Sequence, residues 1–360
     1  DLSVPSFFVS GDLDVDGTTN LDAVDVDGAV NFAADVTFAD GADIITASAG
    51  TSNVRVGVNA GNSITSGGNY NVVVGDEAGT ALTTGENNVA IGFEALKTED
   101  AHGQNTAVGF RALKNLDGGA NTFSTAVGAS AGAAVTTGTS NTLIGALAGD
   151  AKTTGNNDVA LGYAALSSEV AGQNSVAVGY QALTAQNFTT ATNSYNVAVG
   201  RSAGAAITTG IQNTIVGALA GDALTDADYN IAVGYAALGS DTLGSRSVAI
   251  GRSALQNQNF TTATNSYNVG VGYAAGSAVT TGTLNTLVGG LAGDALTEGT
   301  RNVVLGYNAL ASDTLGSKSV AIGLGTLQDQ NFTTATDSFN TAIGHGAGSS
   351  VTTGQQNTII

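Results

Sequence analysis

The chain has 360 residues, with 51 Gly, one Pro, two His and no Cys, Met or Trp. Although 42% of its residues are apolar, only 6% are aromatic, so any core is built from small and β-branched side chains. The absence of Cys excludes disulfides, zinc–thiolate sites and thiol nucleophiles, and no apolar run of about 18 residues and no signal peptide is present, which predicts no membrane insertion. The net charge of −19, from 29 acidic and 10 basic residues, argues against nucleic acid as a partner, because phosphate binding needs Lys and Arg stripes.

The first fifty residues differ from the rest of the chain. An 11-residue step leads from GDLDVDGTTNL at 11–21 to DAVDVDGAVNF at 22–32, and ten of the 29 acidic residues lie before residue 51. Alternation of Asp with Val or Leu predicts short strands that are solvated on one face. We therefore predict an acidic β shaft or connector over residues 1–50. The run from Asp12 to Gly17 matches the start of a calcium loop, but Ala23 stands where such a loop needs a bidentate Glu, which favours the solvated strand.

A five-residue unit recurs from residue 53 onward, reading NVAIG at 88–92, NTAVG at 105–109 and SVAIG at 247–251. Its last residue, here called the coil-closing glycine, recurs mostly every 17 residues, and from Gly128 the pattern has a period of 72 residues made of three steps of 17 and one of 21. Residues 51–360 are therefore predicted to form one repeat array, which we expect to continue beyond residue 360. The coil-closing glycines are residues 57, 75, 92, 109, 128, 145, 162, 179, 200, 217, 234, 251, 272, 289, 306, 323 and 344.

Each unit carries the signal of a short strand. The residue before the coil-closing glycine is Val, Ile or Leu, which suits a pleated, half-buried surface. Alternation places this residue and the one two before it on one face, and the residue between them, such as Ala107 or Leu143, on the other. Because neither face is polar, the strand is predicted to be buried on both sides. We expect the second face, rich in Ala and Gly, to pack against a neighbouring copy of the chain.

The remainder of each unit alternates between two types. Two units with Ala-Gly, as at 131–132 and 148–149, are followed by two with Ala-Leu, as at 165–166 and 182–183, and this stretch is interpreted as a second short strand or a corner. Thr-Thr-Gly triplets, as at 136–138, predict a turn in which Gly adopts a positive φ. Together these features predict an all-β, repetitive parallel β-roll or β-solenoid with roughly 17-residue coils, whose sixteen steps span roughly 75–80 Å.

Asn occupies the first position of the five-residue unit in most coils. We call this first position the ladder position. Stacked parallel coils would align these side chains into an amide ladder in which each side chain bonds to the next. We prefer this structural ladder to a row of ligand-binding amides. The predicted ladder comprises Asn88, Asn105, Asn141, Asn196, Asn213, Asn268 and Asn285.

The 21-residue steps contain related segments at 186–195, 258–267 and 330–339, of the form QNFTTATNSY. Their four extra residues predict loops that bulge from every fourth coil and that stacking aligns on one side. Aromatic rings there are suited to stack on sugars beside Asn and Thr donors, or to cover the coil edge or clasp a neighbouring chain. The candidate receptor or glycan contacts are Phe188, Tyr195, Phe260, Tyr267, Phe332 and Phe339.

The sequence offers no catalytic constellation. His102 and His345 lie in different coils without an acidic or nucleophilic partner at a recurring spacing, and both are expected at the surface or in turns. No carboxylate pair, nucleophile elbow, phosphate loop or metal cluster stands out. We therefore predict no catalytic residue, no metal ligand and no cofactor, and we expect the protein not to be an enzyme.

The NVAIG-type unit resembles the head repeat of YadA-type trimeric autotransporter adhesins, which form a left-handed parallel β-roll and assemble as trimers. Its 17-residue form, as at 88–104 and 158–174, resembles arrays in tail fibres of bacteriophages, notably marine and cyanobacterial phages, and GDLDVDGTTNL at 11–21 resembles phage fibre shafts. The resemblance covers residues 50–360 strongly and 10–45 weakly. It implies an intertwined or side-by-side homotrimer.

This resemblance implies a structural protein of the virion, namely the shaft or head of a trimeric phage tail fibre involved in host attachment. Its implied partners are phage tail or baseplate proteins and a bacterial surface glycan or protein receptor. The alternative is a trimeric autotransporter-type adhesin on the bacterial cell surface, which the longer coils and the missing signal peptide and membrane anchor favour less. A capsule-degrading enzyme, which needs a carboxylate pair in an irregular insertion, and ice binding through flat Thr rows are lesser alternatives. Because the chain starts at Asp1 without Met, we expect a fragment or a processed product.

Overall fold

A computed structural model describes residues 49–360, so the predicted connector, apart from its last two residues, and the Asp12–Gly17 run lie outside the described residues. The chain divides between Ile44 and Ile45 into two units, and the described residues belong to the second. They form a parallel β-solenoid of about 18 turns in which this part of the chain contains no helix. The predicted all-β solenoid with coils of about 17 residues is confirmed.

Each coil contributes one short strand to an eighteen-stranded parallel main sheet, and consecutive strands pair in register. Val197, for example, lies opposite Thr214 across one regular step and opposite Val176 across a 21-residue step, so the longer coils do not shift the register. The strands of the main sheet are β1 Val54–Val56, β2 Val72–Val74, β3 Val89–Ile91, β4 Thr106–Val108, β5 Thr125–Val127, β6 Thr142–Ile144, β7 Val159–Leu161, β9 Val176–Val178, β11 Val197–Val199, β12 Thr214–Val216, β13 Ile231–Val233, β15 Val248–Ile250, β17 Val269–Val271, β18 Thr286–Val288, β19 Val303–Leu305, β21 Val320–Ile322, β23 Thr341–Ile343 and β24 Thr358–Ile359.

The 21-residue coils add a second kind of parallel pairing. In each of them a two-residue strand pairs with a two-residue strand of the preceding coil, so part of the extra sequence is held by a backbone ladder. The pairs are β8 Gly172–Gln173 with β10 Thr192–Asn193, β14 Gly244–Ser245 with β16 Thr264–Asn265, and β20 Gly316–Ser317 with β22 Thr336–Asp337.

The small-residue face of the main sheet is the interior of the solenoid. Ala107, Leu143 and Ala177, each in the middle of its strand, are fully buried within the single chain. The prediction that this face packs against a neighbouring copy is therefore wrong. Strand alternation separates two faces but does not say which one the chain itself encloses, and here the narrow coil encloses the smaller side chains. The flanking Val, Ile and Leu residues point outward instead.

The paired Ala-Gly units make room for one large side chain from the main sheet. A Cβ atom added to Gly132 would lie 2.7 Å from Leu143 Cδ1, and one added to Gly149 would lie 2.9 Å from Leu143 Cδ2, so a single leucine fills the space over two successive glycines. In the Ala-Leu units the leucine comes from the corner itself, as at Leu166. This stretch is a corner and not a strand, and Gly149 and Leu166 both have φ of 55° there.

Two classes of glycine are required by close approach of the next coil. Gly92 has φ of 126°, and a Cβ atom added to it would lie 2.5 Å from the carbonyl oxygen of Gly109. Gly138, from a Thr-Thr-Gly triplet, does not have the predicted positive φ. Instead, a Cβ atom there would lie 2.5 Å from the carbonyl oxygen of Gly155, so the triplet glycine is selected by contact with the coil above it.

Candidate functional site

The asparagine ladder is present in the solenoid interior, and its bonds differ in detail from the prediction. Asn196 Oδ1 accepts the backbone N–H of Asn213 at 2.9 Å, and Asn196 Nδ2 donates to the carbonyl oxygen of Gly210 at 2.7 Å. Direct bonding between amides is secondary, with 3.2 Å between Asn213 Nδ2 and Asn196 Oδ1. The amides therefore bind coil to coil and leave no room for a ligand. The buried members include Asn88, Asn105, Asn141, Asn196, Asn213, Asn268 and Asn285.

The phenylalanines of the 21-residue coils are not available to a receptor. Phe188, Phe260 and Phe332 are only 7, 6 and 5% exposed, which contradicts their assignment as receptor or glycan contacts. The backbone holds them inside, because the N–H of Phe260 donates to the buried carboxylate of Asp241 at 3.0 Å. The ring of Phe260 then covers Gly244, where a Cβ atom would lie 2.7 Å from its Cδ2.

The second aromatic residue of each long coil does lie at the surface. Tyr195, Tyr267 and Phe339 are 52, 50 and 51% exposed and immediately precede the ladder position. Cationic groups lie over two of these rings, with Arg246 Cζ 5.8 Å from the ring centroid of Tyr267 and Lys318 Nζ 4.9 Å from that of Phe339. These three rings remain candidates for contact with a ligand.

The largest candidate surface is the outer face, defined as the first and third residues of every strand of the main sheet. These two columns contain only Val, Ile, Leu and Thr, without one charged residue over the described range. Several of the side chains are well exposed, with Ile91 at 36%, Leu161 at 42% and Leu305 at 47%. The third residue of these strands is always Val, Ile or Leu and is at least partly exposed. A contiguous exposed apolar surface of this kind marks an interaction site.

A row of exposed aromatic rings borders the outer face. Each ring follows a coil-closing glycine, and rings in consecutive coils stack, with centroids 5.7 Å apart for Phe93 and Phe110 and 5.5 Å apart for Tyr163 and Tyr180. This row was not predicted from the sequence, although the repeated Gly-Phe and Gly-Tyr dipeptides indicate it. The row comprises Phe93, Phe110, Tyr163, Tyr180, Tyr235, Tyr273 and Tyr307.

A buried polar network recurs at the corner position, defined as the seventh residue after the coil-closing glycine. Asp241 Oδ1 accepts the N–H of Gly244 and of Phe260 at 3.0 Å each, and Asp241 Oδ2 accepts from Gln258 Nε2 at 2.5 Å. Gln258 Oε1 in turn accepts from Asn268 Nδ2 at 2.8 Å, which joins the network to the ladder. Burial raises the pKa of Asp241 despite these donors. Since both carboxylate oxygens have donors, the network is structural.

One coil carries a fully buried ion pair in place of this network. Lys152 occupies the corner position and Asp158 the ladder position, and the Lys152 ammonium contacts the Asp158 carboxylate while donating to the carbonyl oxygen of Gly172 at 2.8 Å. Burial raises the pKa of Asp158 to about 6, and Lys152 opposes this rise. The pair is enclosed by the coil and is not reachable by a ligand.

His102 has the acidic partner that sequence spacing did not show. Its Nδ1 lies 3.3 Å from Glu99 Oε1, and Asp100 and Asp117 complete a group whose ligand atoms lie within 4.8 Å of one another. The sequence predicted that His102 has no acidic partner and that there is no metal-type cluster. It did not show this group, because Asp117 belongs to the next coil and only stacking brings it close. His345 is exposed, as expected.

No protein-family model matches the sequence, and neither a curated protein nor a solved structure is significantly similar to the chain. Among residues 49–360, no helix is long and apolar enough to cross a membrane.

Proposed function

We propose that the chain is a structural, non-enzymatic segment of a homotrimeric bacteriophage tail fibre, located on the virion as the shaft or head that presents a host-recognition region. The observation that carries this proposal is the uncharged apolar outer face on a rigid, repetitive rod. The resemblance of the NVAIG-type units to phage fibre arrays supports the assignment to a virion. A rod of stacked coils supplies length and stiffness, which are the physical requirements of a fibre.

The occupant of the outer face is a further copy of the same chain. The face repeats at the coil spacing of about 4.8 Å, so another solenoid with that spacing can match it rung by rung, whereas a globular partner covers only a few rungs. The net charge of −19 would oppose association, but the two columns of the outer face carry no charge. Association through this face therefore brings apolar surface together at columns that contain no acidic groups.

Contact with the host is assigned to the exposed edge of the 21-residue coils. Tyr195, Tyr267 and Phe339 recur there once every four coils, and the same segments carry exposed threonines such as Thr262. Aromatic faces beside hydroxyl groups suit a bacterial surface glycan or a protein receptor, and the rod itself joins phage tail or baseplate proteins. The aromatic edge thus serves recognition and the outer face serves assembly.

Sedimentation velocity of the full chain tests the assembly, with a trimer expected for the wild type. Leu161→Lys combined with Leu305→Lys places two charges on the outer face at side chains that are already partly exposed, so we expect folded coils and a shift to monomer. Thr262→Lys, on the exposed loop away from this face, is the matched control and should remain trimeric. A monomeric wild type would overturn the proposal, and a double variant that stays trimeric would overturn the role of the outer face.

A further inference from the structure

The polar network at the corner position is incomplete in its first copy. In the three later copies the second oxygen of the buried acid accepts from a glutamine, at 2.8 Å for Glu169 and Gln186, 2.5 Å for Asp241 and Gln258, and 2.6 Å for Asp313 and Gln330. In the first copy the acid is Glu99, and Leu116 stands where the others have glutamine. Glu99 is fully buried and its Oε2 has no hydrogen-bond partner.

Three further substitutions surround this unpartnered oxygen. His102 stands where the later copies have glycine, and Asp117 stands where they have asparagine. Asp100 stands where they have Val or Thr. An imidazole and two carboxylates thus replace neutral residues at the one copy that lacks the glutamine donor. The corresponding residues of the later copies are Gly172, Gly244 and Gly316; Asn187, Asn259 and Asn331; and Val170, Thr242 and Thr314.

The group combines three carboxylates with one imidazole. Asp100 and Asp117 hold the same position in consecutive coils, so their backbones are about 4.8 Å apart and their carboxylates repel. His102 Nδ1 is buried without a hydrogen-bond partner and lies 3.3 Å from Glu99 Oε1, which accepts the backbone N–H of His102 at 3.0 Å. All four ligand atoms lie within 4.8 Å of one another. A cation at their centre would satisfy each of them.

We propose that Glu99, Asp100, His102 and Asp117 bind one divalent transition-metal ion, with Zn²⁺ as the preferred ion. One imidazole nitrogen with carboxylate oxygens is a donor set that suits Zn²⁺, whereas Ca²⁺ and Mg²⁺ prefer oxygen alone. Asp100 and Asp117 are exposed and give the ion a route from solvent, while Glu99 and its unpartnered oxygen form the floor of the site. The ion fastens the coil that carries Glu99, Asp100 and His102 to the next coil, which carries Asp117 within the irregular 19-residue step from Gly109 to Gly128.

Isothermal titration of the full chain with Zn²⁺ alone, followed by thermal unfolding, tests the site. We expect one bound ion per chain and a higher unfolding temperature with Zn²⁺ present. His102→Gly and Asp117→Asn restore the residues of the later copies, and each should weaken Zn²⁺ binding by about tenfold or more. His345→Gly removes the other histidine, which lies outside the cluster, and should leave the affinity unchanged.

Leu116→Gln provides a second test that does not depend on removing a ligand. The glutamine should donate to Glu99 Oε2 as Gln258 does to Asp241, so the metal-free protein gains stability while Zn²⁺ binds more weakly. Absence of Zn²⁺ binding by the wild type, unchanged affinity in His102→Gly, or a loss of affinity in His345→Gly would each overturn the site. Tighter binding of Ca²⁺ than of Zn²⁺ would overturn the assignment to a transition metal.

Discussion

The contribution of the buried pair of Lys152 and Asp158 to stability can be tested against another coil of the same protein that has no charge at these two positions. One period later, at the same two positions, Leu224 and Asn230 form an uncharged coil in which Asn230 Nδ2 donates to the carbonyl oxygen of Gly244 at 2.9 Å. Lys152 Nζ makes the equivalent bond to Gly172 at 2.8 Å. The ammonium therefore replaces the amide hydrogen that an aspartate at the ladder position lacks.

Removing either partner alone leaves a buried charge without its counterion. Lys152→Leu and Asp158→Asn are each expected to cost about 3–5 kcal/mol of local stability, because both side chains are fully buried. The double variant Lys152→Leu/Asp158→Asn recreates the coil of Leu224 and Asn230, with an apolar corner and a complete ladder. We expect it to equal the wild type or to exceed it by about 1–4 kcal/mol.

Amide hydrogen exchange is the appropriate assay, because a solenoid opens locally. Peptides covering β6 to β9 report on the altered coil, and those covering β12 to β15, one period later, serve as the internal reference. The single variants should exchange about two to four decades faster in β6 to β9 only, since 1.36 kcal/mol corresponds to one decade. Unchanged exchange in Lys152→Leu, or a double variant less protected than either single variant, would refute the reasoning.

Two further predictions concern pH and the identity of the inner face. Burial raises the pKa of Asp158 from 3.8 to about 6, so the folded state binds more protons there, and the unfolding temperature should fall as the pH rises through this window; Lys152 and Glu169 are the charged groups that face it. Thermal unfolding measured across this pH window checks the prediction. The unfolding temperature of the Lys152→Leu/Asp158→Asn variant should fall less, and an unfolding temperature of the wild type that rises with pH would contradict the prediction. Ala177→Glu places a carboxylate in the fully buried interior and should unfold the isolated chain. Val178→Glu, on the outer face, should leave the coils folded and impair assembly. Circular dichroism measures folding and sedimentation measures assembly, and a folded Ala177→Glu monomer would contradict the burial of this face.

Repetition made the main architecture predictable from the sequence. The spacing of the seventeen coil-closing glycines located all but the last of the eighteen strands of the main sheet, because each coil must return its strand to the same register. The alternation within a strand, in contrast, distinguished two faces without orienting them. Ala107 lies inside because the coil is too narrow for larger residues at every rung, and that width is a property of the closed coil and not of any short segment.

The candidate sites show a similar division. Tyr195 and Phe188 look alike in the sequence, but the backbone bond from Phe188 to Glu169 turns one ring inward while the other stays exposed. The Lys152–Asp158 pair and the cluster at His102 were detectable in principle. Each departs from the residues found one period away, so alignment of the repeats with one another, rather than a search for motifs, is the operation that exposes them.

The in-register ladder has a consequence for how the rod changes length. Because Asn196, Asn268 and Asn340 bond to their neighbouring coils in the same way, the two ends of a 72-residue block present matching halves of the same joint. Duplication or deletion of a whole block by recombination would therefore restore these ladder hydrogen bonds at the new junction. The fold therefore permits inheritable changes of reach in whole-block increments, each of about four rungs or roughly 19 Å.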